Sequence, residues 1–198
     1  MNPKIEKLIK IFAKLPRVGN RAARRIVLDL LHDKTGRIEK IIDALHDASE
    51  NIHACPVCGV LTDRSFDRCE YCRDIARANG MICIVRDLSD VWTLEKSGVF
   101  NGRYHILGGL LSGIGGITPD DLSIQNIPQR IHDENINEII FALPNTIEGK
   151  TTQQYIISVI GDTDVQFTEL ASGVPLGGDL DYIDDGTLSL AFGGRRTV

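Results

Sequence analysis

Four cysteines stand in two pairs, Cys55-x2-Cys58 and Cys69-x2-Cys72, with ten residues between the pairs. Each pair puts two sulfurs on one tight turn, and two such turns complete a tetrahedron around a metal ion. Gly59, directly after Cys58, suits the sharp reversal that such a turn needs. The intervening loop is mostly polar and is predicted to bury Leu61 and Phe66 in a small core. A module of this size cannot fold on apolar burial, so metal binding must supply its stability. The same cysteines would also fit two disulfides, which an intracellular chain disfavours. The spacing therefore predicts one zinc ion on Cys55, Cys58, Cys69 and Cys72. Four protein ligands leave no open coordination position, so the ion is structural. His53 is read as a neighbour of the site and Cys83, within the apolar run Met81–Val85, as a buried strand residue.

The 198-residue chain has room for one domain or two small ones. It is 42% apolar and 25% charged, as a soluble protein with a real core should be. No apolar run approaches the roughly 18 residues of a membrane span, and the first residues lack the apolar block of a signal peptide. A soluble, cytoplasmic location is expected, with no membrane partner. The net charge of −5 conceals an asymmetry. Residues 1–37 hold ten Lys/Arg against three Asp/Glu, or +7, and the remainder holds twelve against 24, or −12. A basic end on an acidic body suits contact with a polyanion, though a basic solvated helix face would look the same.

Within the basic segment, Ile5, Leu8, Ile9, Phe12 and Leu15 recur at helical spacing, ending at Pro16. A second helix, N-capped by Asn20, is predicted to bury Ala22, Ala23, Ile26, Val27, Leu30 and Leu31. It exposes Arg21, Arg24 and Arg25. Two helices joined by a tight turn containing Gly19 form a helix-hairpin-helix, whose turn can hold a nucleic-acid phosphate. Arg21 and Arg25 lie one turn apart on one face, with Lys14, Arg17 and Arg24 nearby, and would add ionic contacts that read no base sequence. A third helix, residues 37–52, should turn Ile38, Ile41, Ile42, Leu45 and Ile52 inward.

The second half alternates strands and helices. Strands are expected at 81–85, 103–107, 138–143 and 165–170, and helices near 89–97, 122–134 and 148–160. Such alternation implies a mainly parallel sheet flanked by helices, with functional residues beyond the carboxyl ends of its strands. Gly149-Lys150-Thr151 between strand and helix has the ending of a P-loop. The position of that motif's first glycine is Pro144, which has no N–H to offer phosphate, and this argues against nucleotide binding. Lys150 then reads as a solvated first-turn lysine. Asp87, Asp90 and Glu148 are the only carboxylates placed after the first and third strands, a thin set for two-metal chemistry.

This arrangement resembles the RecR family of bacterial recombination mediators over nearly the whole chain. The resemblance is carried by the cysteine segment, by Gly102-Arg103-Tyr104-His105-Ile106-Leu107, by Leu111-Ser112, Gly116-Ile117 and Pro119-Asp120-Asp121, and by Thr146-Ile147-Glu148-Gly149 with Thr152 and Tyr155. Its strongest part is the run Gly173-Val174-Pro175-Leu176-Gly177-Gly178-Asp179-Leu180-Asp181, continued through Thr187-Leu188, Ala191 and Gly194-Arg195. The resemblance implies a multi-part α/β chain: a helix-hairpin-helix over 1–54, a C4 zinc finger over 55–72, a Toprim domain over 80–174 and a glycine-rich, helical C-terminal segment over 175–198. It implies a non-enzymatic mediator that binds single- and double-stranded DNA without sequence preference. It implies self-association into dimers or tetrameric rings that encircle DNA, and action with RecO and RecF to load RecA at the bacterial nucleoid. The family's phosphate-contacting residues fall on Arg21 and Arg25, its acidic Toprim position on Glu148, and Asp87 with Glu148 are expected to meet partner proteins. Two positions depart from the family pattern. Leu15-Pro16 is followed by Arg17 where the family has glycine, and the Toprim glutamate after the first strand falls on Arg86. A metal-dependent Toprim nuclease or strand-transfer enzyme is the competing reading, and a pure interaction adaptor the third.

Overall fold

The computed structural model describes residues 2–33, 35–171, 173–175, 177 and 179–194. Leu176, Gly178 and Arg195 of the C-terminal signature lie outside them. The chain divides into two compact units, Met1–Ile52 and His53–Val198.

The first unit is helical: α1 (Pro3–Phe12), α2 (Asn20–His32) and α3 (Arg37–Asn51). Asn2 caps α1 by accepting from Lys4 N, with Pro3 at the first helical position, where its missing N–H costs nothing. Packing of α1 on α2 buries Ile9, Ala23 and Val27, with Ile5, Leu8, Phe12, Ala13 and Val18 around them. The expected stripes are only partly buried. Helix α1 ends at Phe12, before Pro16, and Leu15 is exposed. Ala22, Ile26 and Leu31 of α2 are exposed as well. Helix α3 ends at Asn51, one residue short of the predicted span, and buries no residue; Ile42 and Leu45 stay 57% and 66% exposed, and Ile52, at the start of the next strand, is exposed as well. A three-helix unit of this size has too little interior to cover three apolar stripes.

The turn between α1 and α2 also differs in detail from expectation. Gly19, extended at φ −80° and ψ 167°, caps α2 without a side chain, and Asn20 is the first helical residue. Arg17 sits at φ +63°, in the left-handed region that favours glycine.

In the second unit, β1 (Ile52–Ala54) and β2 (Leu61–Asp63) form a two-stranded sheet, followed by the short helix α4 (Glu70–Arg73). Then come β3 (Met81–Val85), α5 (Leu88–Ser97), β4 (Arg103–Ile106), α6 (Ile127–Asp133), β5 (Glu138–Ala142), α7 (Ile147–Ile160), β6 (Gln166–Glu169) and α8 (Asp185–Gly193). The main sheet has the order β4-β3-β5-β6, and all its pairs are parallel. Strand β3 is central and nearly all buried, as its continuous apolar run required. Its alternate residues serve two cores. Ile82 and Ile84 register with Ile139 and Phe141 of β5, and all four pack with Leu122, Ile127 and Ile156. Cys83 and Val85 register with Tyr104 and Ile106 of β4, and join Val91 and the four paired cysteines.

The left-handed Arg17 generates a stability prediction. A non-glycine residue there costs about 1–2 kcal/mol, and glycine returns part of this through unfolded-chain entropy. Arg17→Gly should therefore stabilise the chain by about 0.5–1 kcal/mol, and β-branched Arg17→Val should destabilise it by ~1 kcal/mol or more. Urea denaturation of both variants against the parent checks the signs.

Candidate metal centre and nucleic-acid interface

Two turns and a helix start bring the cysteines together. Gly59 N donates to Cys55 O at 2.9 Å, and Cys55 N donates to Val60 O at 2.8 Å, closing the first knuckle. The second knuckle is the start of α4, with Cys69 at the cap position and Cys72 in the helix. All four residues are at most 4% exposed. Their sulfurs lie within 4.8 Å of one another. A tetrahedral thiolate site with 2.3 Å metal–sulfur bonds has sulfurs roughly 3.8 Å apart, so the set can hold a metal ion. Cys58 Sγ and Cys69 Sγ are 3.3 Å apart, well beyond a disulfide bond, and all five cysteines are free. Hydrogen bonds from Cys58 first, then Cys69 and Cys72, hold the Cys55 thiol below its usual range, while contacts with Cys55 first, then Cys69 and Cys72, push the Cys58 thiol up. Ionised together, four sulfurs this close would repel one another, so a cation between them is what would hold all four as thiolates. His53 lies outside this cluster, and its buried Nδ1 has no hydrogen-bond partner among the described residues.

The finger is anchored to the main sheet. Ile106 N of edge strand β4 donates to Cys58 O at 2.8 Å. Gly59, at φ +79°, lies against Ile106, whose carbonyl would be 3.2 Å from any added Cβ. Cys83, Val85, Tyr104 and Ile106 of the sheet, with Val60 of the finger, supply the apolar surroundings that Leu61 and Phe66 were expected to provide. Leu61 and Phe66 are instead 54% and 43% exposed. The Arg73 guanidinium lies 3.9 Å above the Phe66 ring. Arg77, just beyond the finger, grips Glu95 of α5 with two hydrogen bonds of 2.7 and 2.9 Å, and Tyr104 Oη donates to the same carboxylate at 2.5 Å.

The hairpin presents a different surface. Lys14, Arg17, Arg21, Arg24 and Arg25 are all exposed, and none has an ion-pair partner among the described residues. Arg37, at the start of α3, is by contrast occupied with Asp29 and Asp33. Val18 N donates to Leu15 O at 3.1 Å, which tightens the turn. Gly19 caps α2 with bare backbone, so no side chain competes for the first-turn N–H groups.

The carboxyl ends of the main sheet hold the remaining candidates. Arg86 pairs with Asp87 at 2.9 Å and reaches Asp90 at 3.7 Å. Asp87 also caps α5, and Asp90 returns the bond by accepting from Asp87 N. Hydrogen bonds from Ser89 first, and from Arg86, hold the Asp87 carboxyl below its usual range. Both carboxylates are thus occupied within the protein. Glu148 is exposed in the first turn of α7, whose cap is Thr146. Lys150, expected to be solvated, pairs with Glu169 of β6 at 2.5 Å. The P-loop likeness ends here as well. Gly149 packs on Pro144 so closely that an added Cβ would lie 2.0 Å from the proline carbonyl oxygen, and Thr146 N donates to that same oxygen. The loop is closed upon itself and offers no cradle for phosphate.

A polar network escaped the reading of residue roles, although the Gly102–Leu107 run was singled out. Arg103 and Arg130 both bind Glu134, at 2.7 and 2.6 Å. Arg130 also donates to Tyr104 O at 2.6 Å and lies 3.3 Å from His105 Nδ1, while His105 Nε2 meets Ser123 O at 2.5 Å. Burial pushes the His105 pKa down to about 4, so it is neutral. The consecutive Arg, Tyr and His of β4 each serve a different partner, and that is invisible without the tertiary fold.

The helix-hairpin-helix region described for RecR matches residues 5–49, the Toprim domain matches 80–171, and the RecR C-terminal region matches 173–196. The chain is 45% identical over 192 residues to a recombination protein RecR of Cereibacter sphaeroides, covering 97% of this chain and 96% of the relative. It is 44% identical to one of Rhodospirillum rubrum, covering 98% of each chain. It is 42% identical over 198 residues to one of Neorickettsia sennetsu, which it matches end to end. With hairpin, four-cysteine finger, parallel Toprim sheet and C-terminal helix in the same order, the chain belongs to the RecR family of recombination proteins.

Proposed function

We propose that this chain is a non-enzymatic recombination mediator that binds single- and double-stranded DNA through its hairpin, without reading sequence. One observation carries the reading: five exposed cations, Lys14, Arg17, Arg21, Arg24 and Arg25, surround a turn whose helix start is capped by bare backbone. Such a surface suits the regular phosphates of a nucleic acid and has no built-in device for base edges. In this reading residues 1–54 grip DNA, the finger at 55–72 is a structural brace, 80–174 is the Toprim platform, and 175–198 serves assembly. The exposed apolar residues of α3, with Leu180, Tyr182 and Leu190 in the C-terminal segment, support self-association into a ring around DNA. Cooperation with RecO and RecF in loading RecA in the bacterial cytoplasm, at the nucleoid, belongs to the same proposal. Glu148 and Asp87 are its partner-facing acids. The competing nuclease reading needs free carboxylates after the first and third strands. The Arg86–Asp87–Asp90 grouping weighs against it. No helix among the described residues is long and apolar enough to cross a membrane.

The metal is proposed to be one structural zinc per chain, because four thiolates on tight turns suit zinc and leave no open position. Metal analysis should find one zinc per chain. Cys58→Ser should prevent soluble expression or destabilise the fold by several kcal/mol, since a structural metal's binding energy is folding energy. A chain free of zinc, with disulfides in its place, would remove this assignment.

Replacing Arg21 and Arg25 together by alanine should weaken binding equally for unrelated DNA sequences. The slope of log affinity against log salt should flatten by about two units. Fluorescence anisotropy across a salt series measures both, and an unchanged affinity would move the DNA surface elsewhere.

Glu148→Gln should leave folding and DNA binding intact while weakening association with RecO. Calorimetric titration with RecO, run beside a magnesium-dependent cleavage assay, separates the roles. Cleavage by the parent protein that Glu148→Gln abolishes would restore the enzyme reading.

A further inference from the structure

A cleft of about 750 Å³ lies at the amino-terminal ends of β4, β3 and β5, away from the strand ends discussed above. That volume is in the range of built ligand sites. Its lining includes Arg103, Arg130 and Glu134, and Arg68 of the finger borders it. The side chains of Arg130, Glu134 and Arg103 are only 4%, 11% and 14% exposed. Two buried guanidiniums therefore share one carboxylate. Neutral His105 adds no charge to this account. Arg103 Nε is buried and has no hydrogen-bond partner among the described residues. A buried cation without a matching anion is costly, and a guanidinium carries five N–H donors in a fixed fork. The network is one carboxylate short, and exposed Arg68 adds a further cation at the rim.

The rest of the lining narrows the class of anion. No aromatic side chain lines the cleft, so it offers no stacking surface for a nucleobase. Asp133 at the rim repels any anion, and it disfavours a compact doubly charged phosphate more than single carboxylates spaced along a chain that can reach the arginines away from it. The exposed amides of Asn126 and Asn137 carry donors and acceptors that suit an extended main chain. We propose that this cleft binds an extended acidic peptide segment of a partner protein, whose carboxylates meet the Arg103–Arg130 pair and Arg68. The site is formed within the second unit alone and is independent of DNA binding by the hairpin.

The test titrates the full-length protein at low salt with the peptide acetyl-Gly-Glu-Gly-Glu-Gly-Glu-amide and its glutamine counterpart. Inorganic phosphate and ATP serve as competitors. The glutamate peptide should bind and the glutamine peptide should not. Arg68→Glu, an exposed change that leaves the fold alone, should weaken binding by about fivefold or more. Arg103→Gln should weaken it further, and the Arg21→Ala, Arg25→Ala double variant should not alter it. Equal binding of the two peptides, no binding of either, or indifference to Arg68→Glu would overturn the proposal. So would displacement of the peptide by inorganic phosphate or ATP at lower concentration than the peptide itself requires.

Discussion

The second unit depends on one junction, where the four-cysteine cluster meets the edge of the main sheet. Ile106 N donates to Cys58 O, so the first knuckle occupies the hydrogen-bonding edge of β4 that would otherwise be open. The cysteines then pack with Cys83, Val85 and Tyr104 on one sheet face. A free finger of eighteen residues would depend on its metal alone. Here a bound metal and the sheet face would act on the same residues, so that loss of either would expose the other's apolar surface to water. The Arg77–Glu95–Tyr104 contacts extend the same junction to α5.

The hairpin is organised by the opposite principle. Its interior is small, its apolar residues are partly exposed, and Lys14, Arg17, Arg21, Arg24 and Arg25 have no ion-pair partner among the described residues. Exposed lone cations contribute little to stability, but they are free to release counterions to a polyanion. Arg17 combines both aspects. It holds the left-handed conformation that glycine adopts at no cost, and it adds a positive charge at the turn.

Much of the Toprim region's character lies in what its acids are already doing. Asp87 and Asp90 form a mutual cap with Arg86, and Glu169 holds Lys150. Each pairing uses up a group that sequence position alone would offer to a metal or a phosphate. Arg86 therefore has a local consequence: it makes this corner ion-paired, where Asp87 and Asp90 alone would make it anionic.

The sequence by itself determined the cysteine cluster, the order of elements and the parallel character of the sheet. Those features rest on local spacing: two residues between paired sulfurs, 3.6-residue periodicity along helices, and unbroken apolar runs in buried strands. It also marked Arg21, Arg24 and Arg25 as exposed, because they fall off the apolar stripe of α2. Periodicity, however, identifies an apolar face without identifying what covers it. So it placed Ile42 and Leu45 inward, whereas no other element of the three-helix unit buries them. Capping was misplaced by one residue at Asn20, since Gly19 takes the extended conformation without needing a side-chain acceptor. Only the tertiary structure decided that Leu61 and Phe66 would stay exposed while the sheet supplied the finger's core. Only it joined Arg103, Arg130 and Glu134, which are separated by up to 31 residues. Long-range pairing of buried charges depends on which strand ends and helix faces meet, and local sequence carries no record of that.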